Sequence, residues 1–290
     1  VNAAPAGPLD GAARTRPDGW LANPLSTDHA LAERQAHALL HQHHPDAPSP
    51  ARCISARYRT AAFALGDPPV QLLKRHADEA AYLGEMLAYE VLADEQVLPA
   101  LYSSSDSSRT LVVDYLSHGV DLTDADAFDE LIHRVAVVHT ASARWHPAVA
   151  GAMSSWRVEI ALSSPAADWI SSPADWHDLM RLMADAHGPD HVPLGHLDLK
   201  PDHVRRHPDD GLALIDAETL RPDLTGLPDL ITLAYIAGSN DRYPRPRWIR
   251  HAYLRHVNEL GAQWTGVALV NALTAFATAT GLHSLHGAQS

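Results

Sequence analysis

The sequence predicts an α+β chain of two lobes, a small β-rich lobe followed by a large, mainly helical one. Three observations carry this. Between residues 51 and 116 the chain breaks into short strand-like runs, "ARCISARYR", "TAAFALG", "VQLLKRH", "VLPALY" and "TLVVDYL", with one helical stretch among them. After Tyr115 apolar residues recur at helical spacing instead. One hairpin pattern, "HVRRHPDDGLALID", interrupts those helices, with Pro208-Asp209-Asp210-Gly211 as its turn signal.

Taken in order, residues 1–26 read as an arm with little regular structure. Thr27 and Asp28 offer N-cap chemistry for a helix running to about His43, and the proline-rich "HPDAPSP" stops it. His41, His43 and His44 end that helix without a second spaced ligand set, so they read as a solvated helix end. The turn Gly66-Asp67-Pro68-Pro69 joins the second and third strands, a helix is expected over 78–94, and two more strands complete a five-stranded sheet. Helices then follow over 125–142, 175–187, 227–236, 247–260 and 266–280. The resulting domains are 1–50, arm and helix; 51–116, small lobe; and 117–290, helical lobe.

Composition narrows the function. The 290 residues suffice for a sizeable core, and 46% apolar content is that of a folded chain. No apolar run is long enough to span a bilayer, and the first residues lack the basic start and apolar stretch of a signal peptide. A formal charge of −13 disfavours nucleic acid and anionic membrane as partners and suits a cationic one. The single cysteine, Cys53, agrees with a cytoplasmic location.

The chemistry concentrates in "GHLDLKPDHV", which sets His196, Asp198, Lys200, Asp202 and His203 among apolar residues. Asp198 precedes the hairpin and Asp216 ends its second strand, eighteen residues later. A tight hairpin returns its second strand to where its first began, so the two carboxylates arrive side by side. Phosphoryl transfer uses such a pair, one acid to take the proton of the attacking hydroxyl and one to hold a metal on the phosphates. In "VQLLKRH", alternation puts Lys74 on the face of Val70 and Leu72. A lysine among core positions is explained by an ammonium reaching an anion.

His196-x-Asp198-x-Lys200-x-x-His203 followed by Ile215-Asp216-Ala217-Glu218 resembles the catalytic core of the eukaryotic-like kinases. Within them it is most similar to the aminoglycoside phosphotransferase and choline kinase family, which reads H-G-D-x-x-x-x-N and then I-D-W/F-E. Asp229-Leu230, "LVVDYLSHGVDL" and "VAVVHTA" are further echoes. The resemblance implies a two-lobed kinase-like fold whose small lobe holds a five-stranded antiparallel sheet and one helix. It implies that Asp198 is the catalytic base, with Lys200 at the transferring phosphoryl group. It gives Asp216 as a magnesium ligand, Lys74 on the nucleotide phosphates, Glu85 as its partner, and the backbone around Asp114, Tyr115 and Leu116 as the adenine site. His196 and Asp229 would brace the loop. The cofactors implied are ATP, or GTP, with Mg²⁺ or Mn²⁺.

Three departures matter. No glycine lies between Ala51 and Leu65, and "SARYRT" stands where a glycine-rich phosphate loop would be, with Arg57 and Arg59 offering charge. Lys200 follows Asp198 in the Asp-x-Lys order of Ser/Thr protein kinases. His203 replaces the asparagine that would hold the second metal, either ligating through nitrogen or bonding the loop. The expected activity is transfer of the γ-phosphoryl group to a hydroxyl of a small molecule, such as a cationic natural product or antibiotic. The alternatives are a Ser/Thr-peptide kinase and a pseudokinase that binds without turnover. The acidic "DLTDADAFDE" lies where the family places part of its substrate rim, and the arginine-rich 241–256 segment would suit an acidic peptide or stay solvated.

Overall fold

The computed structural model describes residues 25–207, 211–222, 225–238 and 246–281. The expected arm lies almost wholly outside these residues, as do the turn residues 208–210 and Arg242 and Arg245. Two compact units divide the chain, Val1–Tyr89 with Leu98–Ser117, and Glu90–Val97 with His118–Ser290. The fold class is α+β: a five-stranded antiparallel sheet with its helices in the small unit, and a mainly helical large unit.

In the small unit, α1 (His29–His43) is capped by Asp28, whose carboxylate accepts the Leu31 N–H at 2.9 Å. The strands β1 (Ala51–Ala56), β2 (Thr60–Leu65), β3 (Gln71–His76), β4 (Leu101–Ser105) and β5 (Thr110–Asp114) pair in the order β1-β2-β3-β5-β4. Helix α2 (Glu79–Val91) falls between β3 and β4. Side-chain alternation gives the sheet two faces. Phe63, Leu65, Leu73 and Val112 pack with Ala36 and Leu40 of α1. Leu72, Leu111 and Val113 pack with Tyr82, Leu83 and Met86 of α2. Lys74 and His76 follow Leu72 by steps of two and are buried on that second face.

The differences from expectation have local causes. Residues 57–59 form a turn rather than the end of β1, closed by the Arg57 N–H on the Thr60 carbonyl at 2.9 Å. Val70 precedes β3 and is 55% exposed, so Lys74 shares its face with Leu72 but not with a buried Val70. The fourth strand begins at Leu101, not near Val97. Pro99 cannot donate to a ladder, and Val97, in the large unit, accepts the Leu214 N–H at 2.8 Å. His44 is not solvated: it is buried, with Ser103 Oγ and Thr110 Oγ1 each 2.7 Å from its ring nitrogens.

The large unit is built on α3 (Ala125–Thr140), whose Phe128, Leu131, Ile132, Val135 and Val138 are buried as their spacing requires. Short helices α4 (Pro147–Ala152) and α5 (Val158–Ser163) precede α6 (Pro173–His187). The hairpin β6 (Val204–His207) and β7 (Gly211–Leu214) follows, then α7 (Leu227–Gly238), α8 (Pro246–Glu259) and α9 (Gly266–Thr280). Helix α3 packs on α8 and carries β7 against it, while α6 packs on α5 and α9. Among the described residues no helix is long and apolar enough to cross a membrane.

Candidate active site

The large unit holds Asp198 on a loop that buried polar groups fix from behind. Asp229 is fully enclosed. Its two oxygens accept the backbone N–H groups of His196 at 2.7 Å and Leu197 at 2.8 Å, and Oδ2 lies 3.2 Å from His139 Nε2. Burial pushes the Asp229 carboxyl up, but hydrogen bonding and charge from His139, with the His196 and Leu197 contacts, outweigh it and hold the group below the ordinary value. This grip holds Leu197 at φ +64°, a left-handed conformation costly for leucine. Two glycines make the approach possible. A Cβ on Gly226 would lie 2.4 Å from the His139 ring, and one on Gly195 would lie 2.9 Å from Gly226 Cα. His196 is buried too, and its Nε2 donates to the Ile215 carbonyl at 3.0 Å, tying the loop to the far end of the hairpin. Burial holds its pKa below the ordinary histidine value.

The hairpin then performs the return that its sequence predicts. Val204 pairs with Leu214, and the Ile215 N–H donates to the His203 carbonyl at 2.9 Å. Glu130 of α3 steadies β7 by accepting the Leu212 N–H at 2.8 Å. Asp216 follows at φ +59°. The side chains of Asp198, Lys200, His203 and Asp216 are thereby gathered. Asp198 Oδ2 lies 3.1 Å from Lys200 Nζ and 3.6 Å from His203 Nδ1, and His203 Nε2 lies 3.0 Å from Asp216 Oδ2. The imidazole is 6% exposed, whereas the carboxylates of Asp198 and Asp216 are 48% and 40% exposed. Two accessible acids therefore flank one buried ring.

This donor set fits a hard divalent cation with one nitrogen ligand. The carboxylates supply the oxygens that Mg²⁺ and Mn²⁺ favour. His203 Nδ1 is buried without a hydrogen-bond partner among the described residues, so the ring carries an unused polar atom between them.

In the small unit, Lys74 Nζ meets Glu85 Oε2 at 2.8 Å, so β3 and α2 bring that predicted pair together. Burial raises the Glu85 carboxyl, but Lys74 and His76 outweigh it and hold the group below its ordinary value. His76, which the sequence reading passed over, reaches the same oxygen at 2.7 Å. The signal for it was the period of two from Lys74. Asp114 ends β5 and Tyr115 and Leu116 follow it, away from Lys74. The Asp114 carboxylate accepts from Ala100 N–H at 2.9 Å and Tyr102 O–H at 2.7 Å, and the Tyr115 N–H donates to the Val70 carbonyl at 3.1 Å. The Leu116 N–H has no partner among the described residues. Arg57 and Arg59 are exposed on the β1–β2 turn. In the acidic segment, Asp129 meets Arg255 and His256 and Glu130 holds Leu212, so both are engaged within the large unit.

No family model and no curated protein sequence matches the chain. Solved structures do. An aminoglycoside phosphotransferase from Alicyclobacillus acidocaldarius matches with a TM-score of 0.51 at 14% identity, over 87% of this chain and 84% of that one. A macrolide 2′-phosphotransferase from Brachybacterium faecium matches with a TM-score of 0.48 at 21% identity, over 90% and 98%. A choline kinase from Streptococcus pneumoniae matches with a TM-score of 0.47 at 14% identity, over 90% and 91%. The chain thus has the kinase-like fold of the aminoglycoside phosphotransferase structure.

Proposed function

We propose that the chain is a phosphotransferase moving the γ-phosphoryl group of ATP, or GTP, to a hydroxyl of a small molecule. The observation that carries the reading is the gathering of Asp198 and Asp216 on opposite nitrogens of His203. Asp198 accepts the proton of the attacking hydroxyl as its oxygen bonds the γ-phosphorus. The bond to the β-phosphate oxygen breaks and the nucleoside diphosphate leaves. Lys200, beside Asp198, steadies the moving group. Asp216 and His203 would hold Mg²⁺ or Mn²⁺, which would supply positive charge to offset that of the phosphates.

In the small lobe, Lys74 holds the α- and β-phosphates with Glu85 behind it. The backbone over Asp114, Tyr115 and Leu116 takes the base, with the unpartnered Leu116 N–H as its donor. Lys74 pairs with Leu111 across the ladder. Asp114 lies three residues beyond it, about 10 Å along the strand. That span suits the distance from a nucleotide's base to its phosphates. Residues 51–116 would be the nucleotide lobe and 117–290 the catalytic and acceptor lobe, in a cytoplasmic enzyme. The formal charge of −13 supports a cationic acceptor such as an aminoglycoside.

The test is calorimetry with Mg-ATP, then ATP consumption with a panel of aminoglycosides, macrolides and amino alcohols. Asp216→Asn keeps the left-handed backbone, which asparagine tolerates, and removes the charge. It should abolish the Mg²⁺-dependent part of ATP binding without lowering the melting temperature. Unchanged Mg-ATP affinity would overturn the metal assignment. A second reading, nucleotide binding without turnover, is favoured by the exposed, glycine-free turn at residues 57–59. Tight Mg-ATP binding with no consumption for any acceptor would select it.

A further inference from the structure

The structure assigns His76 a positioning role: we infer that it fixes Glu85 so that Lys74 is held ready for nucleotide phosphates. The inference rests on the proposed phosphate role of Lys74 and adds a residue that the motif does not contain.

Residues two apart on a strand point to the same face about 6.6 Å from each other. On β3 these are Lys74 and His76, and both converge on one atom, Glu85 Oε2, at 2.8 and 2.7 Å. A carboxylate only accepts, and Glu85 is held below its ordinary pKa, so His76 Nε2 carries the proton that points at it. The two donors differ in stiffness. Lysine ends a flexible four-carbon stem, whereas the imidazole is a rigid ring whose side chain is fully buried. Glu85 alone could swing on its own rotatable bonds and carry the ammonium with it. With one oxygen pinned by a rigid donor, its rotamers are restricted before the lysine arrives.

The ring is itself fixed. Its backbone N–H donates to the Arg109 carbonyl at 2.9 Å. The ring lies beside that of Tyr82, one helical turn before Glu85, with centroids 6.2 Å apart and planes tilted by 59°. The Tyr82 hydroxyl donates to Asp106 at 2.8 Å. Tyr82 and Glu85 are neighbours on one face of α2, so that face presents both the acceptor for the ring and its packing partner.

The test compares two probes on the full-length protein, Mg-ATP and adenosine, by calorimetry. Lys74 serves phosphates, so a defect transmitted through it should appear with ATP and not with adenosine. His76→Leu should weaken Mg-ATP about tenfold and leave adenosine unchanged. His76→Gln, whose amide N–H can reach Glu85, should restore most of the ATP affinity, while His76→Asn, which is shorter, should not. If His76→Leu fails to fold, the Gln and Asn pair decides alone, since both are polar and differ in reach. Equal weakening of both probes, or equal ATP affinities for the Gln and Asn variants, would overturn the positioning role and leave the phosphate role of Lys74 standing. A wild type that binds Mg-ATP no more tightly than adenosine would overturn both.

Discussion

Replacing Asp229 by alanine tests whether the loop carrying Asp198 is held from behind. The carboxylate satisfies two buried N–H groups, those of His196 and Leu197, and also faces His139. Each stranded N–H costs about 1–3 kcal/mol, so the two together cost about 2–6 kcal/mol. Release of Leu197 from its left-handed conformation returns about 1 kcal/mol. The net expectation is a loss of about 1–5 kcal/mol, a large share of the about 5–15 kcal/mol that holds a typical fold. Urea unfolding followed by tryptophan fluorescence is the assay, because Trp145, Trp156, Trp169, Trp176, Trp248 and Trp264 all lie in the large unit with Asp229. The midpoint should fall with little change in slope. Turnover should fall further than the lost folded fraction explains, since Asp198 follows the freed Leu197. A destabilisation below about 1 kcal/mol, or turnover that merely tracks the folded fraction, would refute the argument.

Burial pushes His44 down to about 4, with His43 adding to the shift, and lowers His191 well below 6.5. The unfolded chain therefore binds protons that the folded chain refuses, so this stability is whole above about pH 6.5 and drains as pH falls towards 4. Thermal melts should show that loss, with about 3 kcal/mol from His44 alone, and a flat profile from pH 7 to 4 would contradict it. His203→Asn should raise the ratio of Mg²⁺- to Mn²⁺-supported turnover, because an amide oxygen suits magnesium and imidazole nitrogen suits manganese. An unchanged ratio would leave the ring only a bracing role. Lys74→Ala should weaken Mg-ATP binding at least tenfold in a nucleotide titration, and ATP affinity equal to wild type would remove Lys74 from the site.

What the sequence disclosed follows physical range. The cap of α1 at Asp28, the buried stripe of α3 and the β6–β7 return are short-range patterns, and each is found where the residues predict it. The pairing of Lys74 with Glu85 came from the family resemblance and from no local pattern around Glu85. Contacts between distant residues were illegible. Nothing near His44 announces Ser103 and Thr110, and nothing near Asp129 announces Arg255. Strand limits shifted where a proline or a hydrogen bond within the large unit decided the matter, as at Pro99 and Val97. The convergence of two donors on Glu85 needed the fold, because the sequence gives the side of a strand but not the reach of a side chain.

The two faces of β3 carry a consequence for the start of the chain. Leu73 faces α1 and Lys74 faces α2, so a slip of one residue would exchange an oily anchor for a charged one. Arg75 adds a fastening on the first face through Gln35 at 3.0 Å. Packing on α1 therefore disfavours the misaligned ladder from the face opposite Lys74. The register that sets Lys74 beside Glu85 is thus secured from the opposite face of the sheet as well.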